Sequence, residues 1–225
     1  MSPLPSPASR CPLCGAAAYP WISVPLAGSG ATIGMLSPVD PDDPGASGEA
    51  RVFDRCQNCG AGIQRAAEPV DLAAELRAIS VAGADGRIQL DAPNRASWQA
   101  TVGNDGWAAV ADSPTRLLLT RRALELLAEH EGVELESSPG CPPWGRNQRW
   151  MLQTLLNAIT LHPNFGTRVI RGELRPSNSR GGFQFAADLV ASVLATPLVA
   201  LLAVPLEAAA SLFGRGGRLV ARTRT

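Results

Sequence analysis

The chain has 225 residues, which is long enough for one ordinary domain with a small appendage, and its 45% hydrophobic content argues against wholesale disorder. The 20 basic residues, all of them arginine, balance 20 acidic residues. The formal net charge of zero excludes a global field that would attract nucleic acid.

Four of the five cysteines form two CxxC pairs, Cys11 with Cys14 and Cys56 with Cys59. The segment 1–10 consists mainly of Pro, Ser and Ala without an apolar core, so we interpret it as a flexible tail and not as an export signal. Thiols in a chain that stays in the cytoplasm remain reduced, which favours metal binding over disulfides.

Both pairs have glycine directly after the second cysteine, at Gly15 and Gly60. Glycine permits the tight turn that points amide hydrogens at thiolate sulfurs. The pattern therefore predicts one structural zinc ion in a ribbon over 11–65, with all four ligand positions filled and none left for a catalytic water. The alternative is a pair of redox dithiols.

The two pairs are separated by 41 residues, more than the ~15–20 that compact zinc ribbons have. The excess lies in a segment rich in Gly, Pro, Ser and Asp, at 27–50, which we predict to be a loop. Loop closure entropy grows only logarithmically with length, so this insertion is compatible with one metal site. A short strand at 51–54 leads into the second pair.

After the ribbon, Asp71 is placed to cap a helix that covers 72–79. A glycine turn at 83–86 follows, and alternating apolar residues predict a strand from Ile88 that Pro93 ends.

The next segment, which contains Trp98 and Trp107, is predicted to be a loop. Thr120 can cap a helix that Gly132 ends, and 133–135 suggests another short strand.

A Pro/Gly turn region occupies 137–146, and 147–161 is predicted to be a helix that His162 and Pro163 stop. Its expected apolar face comprises Leu152, Leu155, Leu156 and Ile159. A strongly apolar stretch follows at 183–213, and 218–221 is expected to form a closing strand.

Three further residues carry little chemical signal. Cys141 lies in a Pro-rich turn far from either cysteine pair and is interpreted as a free, inert thiol. Neither His130 nor His162 has a sequence neighbour that indicates acid–base catalysis.

From residue 71 to 225 the order of motifs resembles the C-terminal half of a class I S-adenosylmethionine-dependent methyltransferase, of the bacterial type that often carries an N-terminal zinc ribbon. The similar features are a helix and glycine turn leading to a strand that ends in Pro93-Asn94, a loop, helix and strand over 117–136, and a final strand over 214–221. The second knuckle, 55–60, also resembles the end of that family's ribbon.

The resemblance implies a cofactor site that this chain lacks. The family binds its cofactor with a glycine-rich loop after the first strand and an acidic residue at the end of the second. Only about ten residues lie between Gly60 and Asp71, which leaves no room for either. The Gly28-Ser29-Gly30 sequence is no substitute, because no helix follows it. Asn94 matches a position near the family's substrate side, but we assign no catalytic or cofactor-binding residue.

The apolar stretch contains 18 consecutive uncharged positions, 189–206, bounded by Asp188 and Glu207. This length is at the lower limit for spanning a hydrocarbon core of ~30 Å. Pro197 and Pro205 would kink or break a helix there. We therefore expect an interfacial or re-entrant hairpin at a membrane, with burial against a core or partner protein as the alternative and true spanning as a third possibility.

Arginines flank this stretch on both sides and would attract anionic headgroups, at about 1 kcal/mol per charge. Basic residues at both ends also predict that both ends stay on the cytoplasmic face. The candidate contacts are Arg168, Arg171, Arg175 and Arg180 before the stretch, and Arg215 and Arg218 after it.

The sequence thus predicts an α/β or α+β fold with a zinc ribbon, a reduced methyltransferase-like sheet and an apolar helical insertion. The leading functional hypothesis is a non-catalytic, zinc-binding accessory or binding protein, peripheral or monotopic at the inner face of the membrane. Its partner could be a complete methyltransferase. The first alternative is a methyltransferase on a small or lipid- or sugar-linked substrate whose cofactor half comes from a partner. The second is a nucleic-acid-binding zinc ribbon.

Overall fold

The computed structural model describes residues 9–25, 50–66, 68–83, 86–113, 115–162, 164–170, 172 and 179–224. Residues 1–8 of the predicted tail, all but residue 50 of the predicted insertion, and Arg171 and Arg175 lie outside this part of the chain. Residues 9–10 belong to a strand instead of the predicted tail.

The fold is of the mixed α+β class. The strands are β1 Ser9–Arg10, β2 Ala17–Pro25, β3 Ala50–Cys56, β4 Gly62–Gln64, β5 Ser80–Ala82, β6 Ile88–Pro93, β7 Leu117–Leu118 and β8 Arg218–Arg222. The helices are α1 Leu72–Ile79, α2 Trp98–Gly103, α3 Ala108–Asp112, α4 Arg121–His130, α5 Arg146–Asn157, α6 Phe165–Ile170 and α7 Ser179–Leu212, with a short 3-10 turn Asn104–Gly106 after α2.

The ribbon strands belong to a five-stranded antiparallel sheet with the order β1-β2-β3-β4-β7. Strands β2 and β3 form its long hairpin, with a bulge between Pro20 and Ile22. The fifth strand comes from beyond the ribbon, where Leu118 pairs with Gly62. The sheet therefore joins the two segments that the sequence separates at 65–71.

A second sheet has the antiparallel order β5-β6-β8. The last strand pairs with β6 along its length, from Gln89 opposite Arg222 to Pro93 opposite Arg218. The predicted strand at 88–93 and the predicted closing strand are both confirmed. The predicted strand at 133–135 is wrong, because Leu135 makes only an isolated bridge to Thr223.

Two predicted helix starts are confirmed. The Asp71 carboxylate accepts a hydrogen bond from the Ala74 amide at the start of α1, and the Thr120 hydroxyl accepts one from the Ala123 amide at the start of α4. Each bond satisfies an amide that has no partner within the first helical turn. Gly132 follows α4 with a φ of 67°, a conformation suited to glycine.

The predicted loop around Trp98 and Trp107 is wrong, because this segment forms α2, the 3-10 turn and α3. Ser97 caps α2 by accepting a hydrogen bond from the Ala100 amide. Trp107 is 1% exposed and packs in a buried cluster with Ala100 and Trp150. Burial of this side chain orders a segment that is too short to show helical periodicity.

The helix predicted at 147–161 exists as α5 but ends earlier, and its predicted apolar face is confirmed only at Leu156, which is buried. The rest of the buried side includes Trp150, Met151 and Thr154, whereas Ile159 is 50% exposed. The reason is tertiary: α5 packs against both α7 and the α2–α3 region, so two sides of the helix are covered.

Two buried clusters form the core. The larger one joins the cysteines of the ribbon to α1, α4, β6 and β8 through residues such as Ile79, Leu124 and Leu219. The smaller one lies between the five-stranded sheet and α2, α3 and α5, around Phe53 and Trp107. The ribbon therefore shares its core with the rest of the described chain.

The expected hairpin in the apolar stretch is wrong: α7 runs for 34 residues through both Pro197 and Pro205. Each proline frees one backbone carbonyl four residues earlier, at Val193 and Leu201. Both of these residues are exposed, at 63% and 74%, so the freed carbonyls are not buried in a protein core where they would break the helix. Gly182–Leu212 is long and apolar enough to cross a membrane by length and composition, with a mean hydropathy of 2.3.

Candidate metal centre

Two backbone turns carry the four cysteines. The first turn connects β1 to β2 and the second connects β3 to β4. Since β2 and β3 are antiparallel neighbours with Ala18 opposite Cys56, the two turns lie at the same end of the sheet. The pairing thus brings together ligands that are 42 to 48 residues apart in sequence.

The sulfur atoms converge on one point. The Sγ atoms of Cys11 and Cys59 are 3.6 Å apart, those of Cys14 and Cys56 are 3.5 Å apart, and all four lie within 4.8 Å of one another. Zinc–sulfur bonds of 2.3 Å in a tetrahedron place the sulfurs about 3.8 Å apart. A disulfide would require ~2.05 Å, so the arrangement fits metal ligation and not oxidised pairs.

The two turns have the same hydrogen-bonding pattern. The Cys11 amide donates to Ala16 O at 2.9 Å, and the Cys56 amide donates to Ala61 O at 2.8 Å. Gly15 and Gly60 have φ angles of 70° and 74°, the left-handed conformation that the sequence predicts there. Backbone amides also donate to the cysteine sulfurs, which stabilises thiolate charge.

The sulfurs perturb one another strongly. The pKa of Cys11 is lowered to about 5, mainly by its hydrogen bond with Cys59 and also by amides of the first turn, against the opposing effect of burial. The same bond, followed by burial, raises the pKa of Cys59. Burial raises the pKa of Cys56. Four sulfurs this close cannot all carry negative charge unless a cation lies between them.

Helix α4 holds both turns from outside. At its N-terminus the Thr120 hydroxyl donates to Cys59 O at 2.6 Å, and at its C-terminus the His130 ring Nε2 lies 3.0 Å from Leu13 O. No partner was predicted for His130 from the sequence. Thr120 and His130 are ten residues apart, at the two ends of one predicted helix. This spacing does not indicate which carbonyls their side chains contact.

The tetrad can hold one metal ion, and four thiolates are the donor set that zinc accepts in closed structural sites. Three of the four cysteines are at most 4% exposed, and Cys14 is half-buried. A site with four protein ligands stabilises the ribbon by cross-linking its two turns and offers no coordination position for a substrate.

The remaining candidates have structural roles. Cys141 lies outside the tetrad, its thiol donates to Gly214 O, and burial raises its pKa, as expected of an inert thiol. The buried Asn94 side chain donates to Gly216 O at 2.8 Å and accepts from the Ala96 amide, which fixes the turn before β8.

Arg218, a predicted headgroup contact, is paired with a carboxylate inside the protein. Its guanidinium binds both oxygens of Asp91, at 2.5 and 2.7 Å, and Arg146 binds the same carboxylate at 2.7 Å. Burial alone would raise the pKa of Asp91, but the two arginines outweigh it and lower the pKa. This cluster joins α5 to the second sheet.

The other predicted membrane contacts differ in environment. Arg215 is exposed, and its Nε donates weakly to Ala96 O at 3.4 Å. Arg168 is half-buried, with an Nε that has no hydrogen-bond partner. Arg180 lies in the first turn of α7, and its side chain is outside the described part of the molecule.

No protein family, curated protein or solved structure matches this chain. The resemblance to methyltransferases therefore stays a prediction, and the function is inferred from the geometry of the molecule itself.

Proposed function

We propose that this chain is a zinc-stabilised accessory or binding protein that lies on the inner surface of a membrane through α7. The observation that carries the proposal is the outward apolar side of that helix. The cysteine tetrad is the observation that supports zinc binding. The proposed role of the zinc is to stabilise the folded ribbon and hold it against the rest of the protein.

Two buried carboxylates attach α7 to the rest of the protein. Asp188 is 1% exposed and accepts hydrogen bonds from the amides of Leu161 and His162, at 2.6 and 3.0 Å, and contacts the His162 ring at 2.7 Å. His162 is one of the two histidines for which the sequence indicated no catalytic neighbour. These contacts fix the N-terminal part of α7 beyond the end of α5.

The second carboxylate, Glu207, is fully buried near the C-terminal end of α7. It accepts hydrogen bonds from Gln99 Nε2 at 2.6 Å, Asn147 Nδ2 at 2.7 Å and the Gly217 amide at 2.7 Å. A Cβ at position 217 would clash with the Gln99 side chain, so glycine is required for this approach. Glu207 and Asp188 are 19 residues, or about 28 Å, apart along the helix.

Between and beyond these anchors the side chains that face outward are large and apolar. Only 6% of the apolar window of the helix is buried, and the inward side uses small residues such as Ala203 and Ala210. A continuous apolar surface of this kind marks a membrane or protein interaction site. The most exposed members are Phe183, Val193, Leu194, Leu198, Leu201, Leu212 and Phe213, at 63% to 86%.

The anchors favour a helix that lies on the bilayer over one that spans it. Both ends of the uncharged segment bind the same folded body, whose α5 runs antiparallel beside α7 and has polar residues such as Gln148 and Gln153.

Flotation with lipid vesicles tests this proposal. The protein is expected to float with vesicles that contain phosphatidylglycerol, and Leu194→Ser with Leu201→Ser should reduce the bound fraction at least about tenfold through lost apolar burial. The matched control is Ile88→Ser with Val102→Ser, which alters two apolar residues away from α7 that are 55% and 66% exposed.

Two outcomes would contradict the proposal. One is a protein that stays monomeric and unbound at any lipid concentration. The other is a concentration-dependent dimer that the α7 variants abolish, which would assign the apolar side to a second copy of the chain.

The absence of a recognisable cofactor loop supports a non-catalytic role over methyl transfer. Calorimetric titration of the zinc-loaded protein with S-adenosylmethionine distinguishes the two hypotheses. We expect no binding. A dissociation constant below 1 mM, which corresponds to a binding free energy more favourable than about −4 kcal/mol, would overturn this part of the proposal.

A further inference from the structure

Arg95 is held in an unusual environment beside the ribbon sheet. Its guanidinium carbon lies 4.0 Å from the centroid of the Trp21 ring, and its Nε is buried without a hydrogen-bond partner. Nothing in the described part of the chain supplies a carboxylate within ion-pair distance. A cation over an aromatic face is stabilised in part, but the unpaired donor remains costly.

A second positive charge lies close to it. Burial and repulsion from Arg55 together lower the pKa of Arg95 to about 10. Arg55 pairs with Gly62 on the neighbouring strand, and Gly62 lies against the Trp21 ring, so Arg55 is close to the ring over which Arg95 lies. Among the described residues Arg55 has no acidic partner. Like charges that are brought together without a counter-charge destabilise the protein unless an anion binds between them.

We propose that Arg95 and Arg55 form a binding site for a phosphate group. Phosphate has several acceptor oxygens and more than one charge, which suits a set of planar guanidinium donors better than a single carboxylate does. Stacking on Trp21 holds the guanidinium plane of Arg95 in one orientation, which reduces the entropy lost on binding. The site does not depend on membrane association.

The position of the site relates it to α7. Trp98, the first residue of α2, contacts Phe213 just beyond the end of α7, with ring centroids 6.1 Å apart. Arg215, two residues beyond Phe213, donates to the carbonyl of Ala96, so the segment that carries Arg95 lies beside the C-terminal end of the exposed apolar side. The phosphate has two possible sources, a soluble phosphate compound or the headgroup of a lipid whose acyl chains contact α7.

Two parallel measurements on the zinc-loaded protein test the proposal. The first is titration with inorganic phosphate and with glycerol 3-phosphate, followed by calorimetry or by NMR of the arginine Nε–H groups. The second is flotation with phosphatidylglycerol vesicles. Each uses the wild type, Arg95→Gln, Arg55→Gln and Arg77→Gln, the last removing one charge from an exposed arginine of α1.

The proposal predicts that Arg95→Gln weakens binding at least about tenfold and Arg55→Gln about threefold, while Arg77→Gln changes it less than twofold. If the variants rank in this order in the titration with soluble phosphates, the ligand is a soluble phosphate compound. If they rank in this order only in the vesicle flotation, the ligand is a lipid headgroup. Arg55 is exposed, so its variant keeps the test valid if Arg95→Gln fails to fold. Equal losses in all three variants, or no binding in either measurement, would overturn the proposal.

The flotation result for the α7 variants remains separate from this test. Binding of soluble phosphate that depends on Arg95 supports the site even when the protein does not bind vesicles. A different outcome would support the membrane proposal and contradict the phosphate site. In that outcome vesicle binding requires Leu194 and Leu201 but is equal for Arg95→Gln and Arg77→Gln, and no soluble phosphate compound binds.

Discussion

The ribbon and α7 are stabilised in different ways. The ribbon is held together by four converging sulfurs, by the hydrogen bonds of its two turns and by the contacts of Thr120 and His130 at the ends of α4. Helix α7 has an excess of apolar residues, yet it keeps most of them outside and buries its two carboxylates. Polar contacts fix both elements, and we propose that a metal completes the first and a membrane surface completes the second.

This difference indicates that the fold itself holds the apolar side of α7 outward. A helix that was merely short of a core would place its charges outward and its leucines inward. Instead, Glu207 and Asp188 are buried and fully paired with amides and side chains of the body. The helix is thereby held with its apolar side outward, and the following predictions test each half of the comparison.

The largest effect is expected when the metal site is broken. Cys56→Ser removes a buried ligand, and structural zinc contributes about 10–16 kcal/mol to the folding of small zinc domains. We expect amide hydrogen exchange at 11–24 and 50–64 to lose its protection, while α5 and α7 keep theirs. Cys141→Ser is the matched control and should retain both metal and protection, because Cys141 lies outside the tetrad.

A smaller loss is expected at the carboxylate that anchors α7. Glu207→Gln replaces one acceptor oxygen with a donor that faces the amide groups of Gln99 and Asn147, at a cost of about 3 kcal/mol. Urea denaturation measures this loss, and Glu129→Gln, on the exposed side of α4, is the control. A change below about 0.5 kcal/mol, which is the usual size of surface effects, would show that α7 is not anchored there.

The contact between α4 and the second cysteine turn should contribute less. Thr120→Ala removes both the helix cap and the hydrogen bond to Cys59 O, for an expected loss of about 1–2 kcal/mol and faster release of zinc to a chelator. Thr120→Ser keeps both hydroxyl contacts and should lose less than half as much. Equal rates of zinc release from both variants would show that the Thr120 hydroxyl does not hold the second cysteine turn.

The smallest effect on stability is expected on the outward side of α7. Leu201→Ser alters a residue that is 74% exposed and should change the free energy of unfolding in water by less than about 0.5 kcal/mol. Ala203→Leu, two residues away on the buried side, should cost about 1–3 kcal/mol through overpacking. Similar costs for the two variants in urea denaturation would show that the outward side is covered in the isolated protein.

Local patterns in the sequence were sufficient for part of the structure. The metal ligands, the helix caps at Asp71 and Thr120, and strands β6 and β8 follow from spacing and capping chemistry that act over a few residues. The sequence also shows Asp188 and Glu207 as the limits of the apolar stretch. It does not show that they point inward, because their partners come from 99, 147, 161, 162 and 217.

Long-range packing decides the features that the sequence analysis missed. Burial of Trp107 against Ala100 and Trp150 orders α2 and α3, and contacts from two directions determine which side of α5 is covered. The prolines of α7 are tolerated because the carbonyls they free lie on its exposed side. The site of Arg95, Arg55 and Trp21 joins three segments that no local pattern connects.

The metal content of the purified protein, measured together with zinc X-ray absorption, tests the central claim most directly. The account predicts about one zinc per chain with four sulfur neighbours at about 2.3 Å, unchanged in Cys141→Ser and lost in Cys56→Ser. A preparation that is folded with less than about 0.1 zinc per chain, or a zinc ion with nitrogen or oxygen ligands, would contradict it.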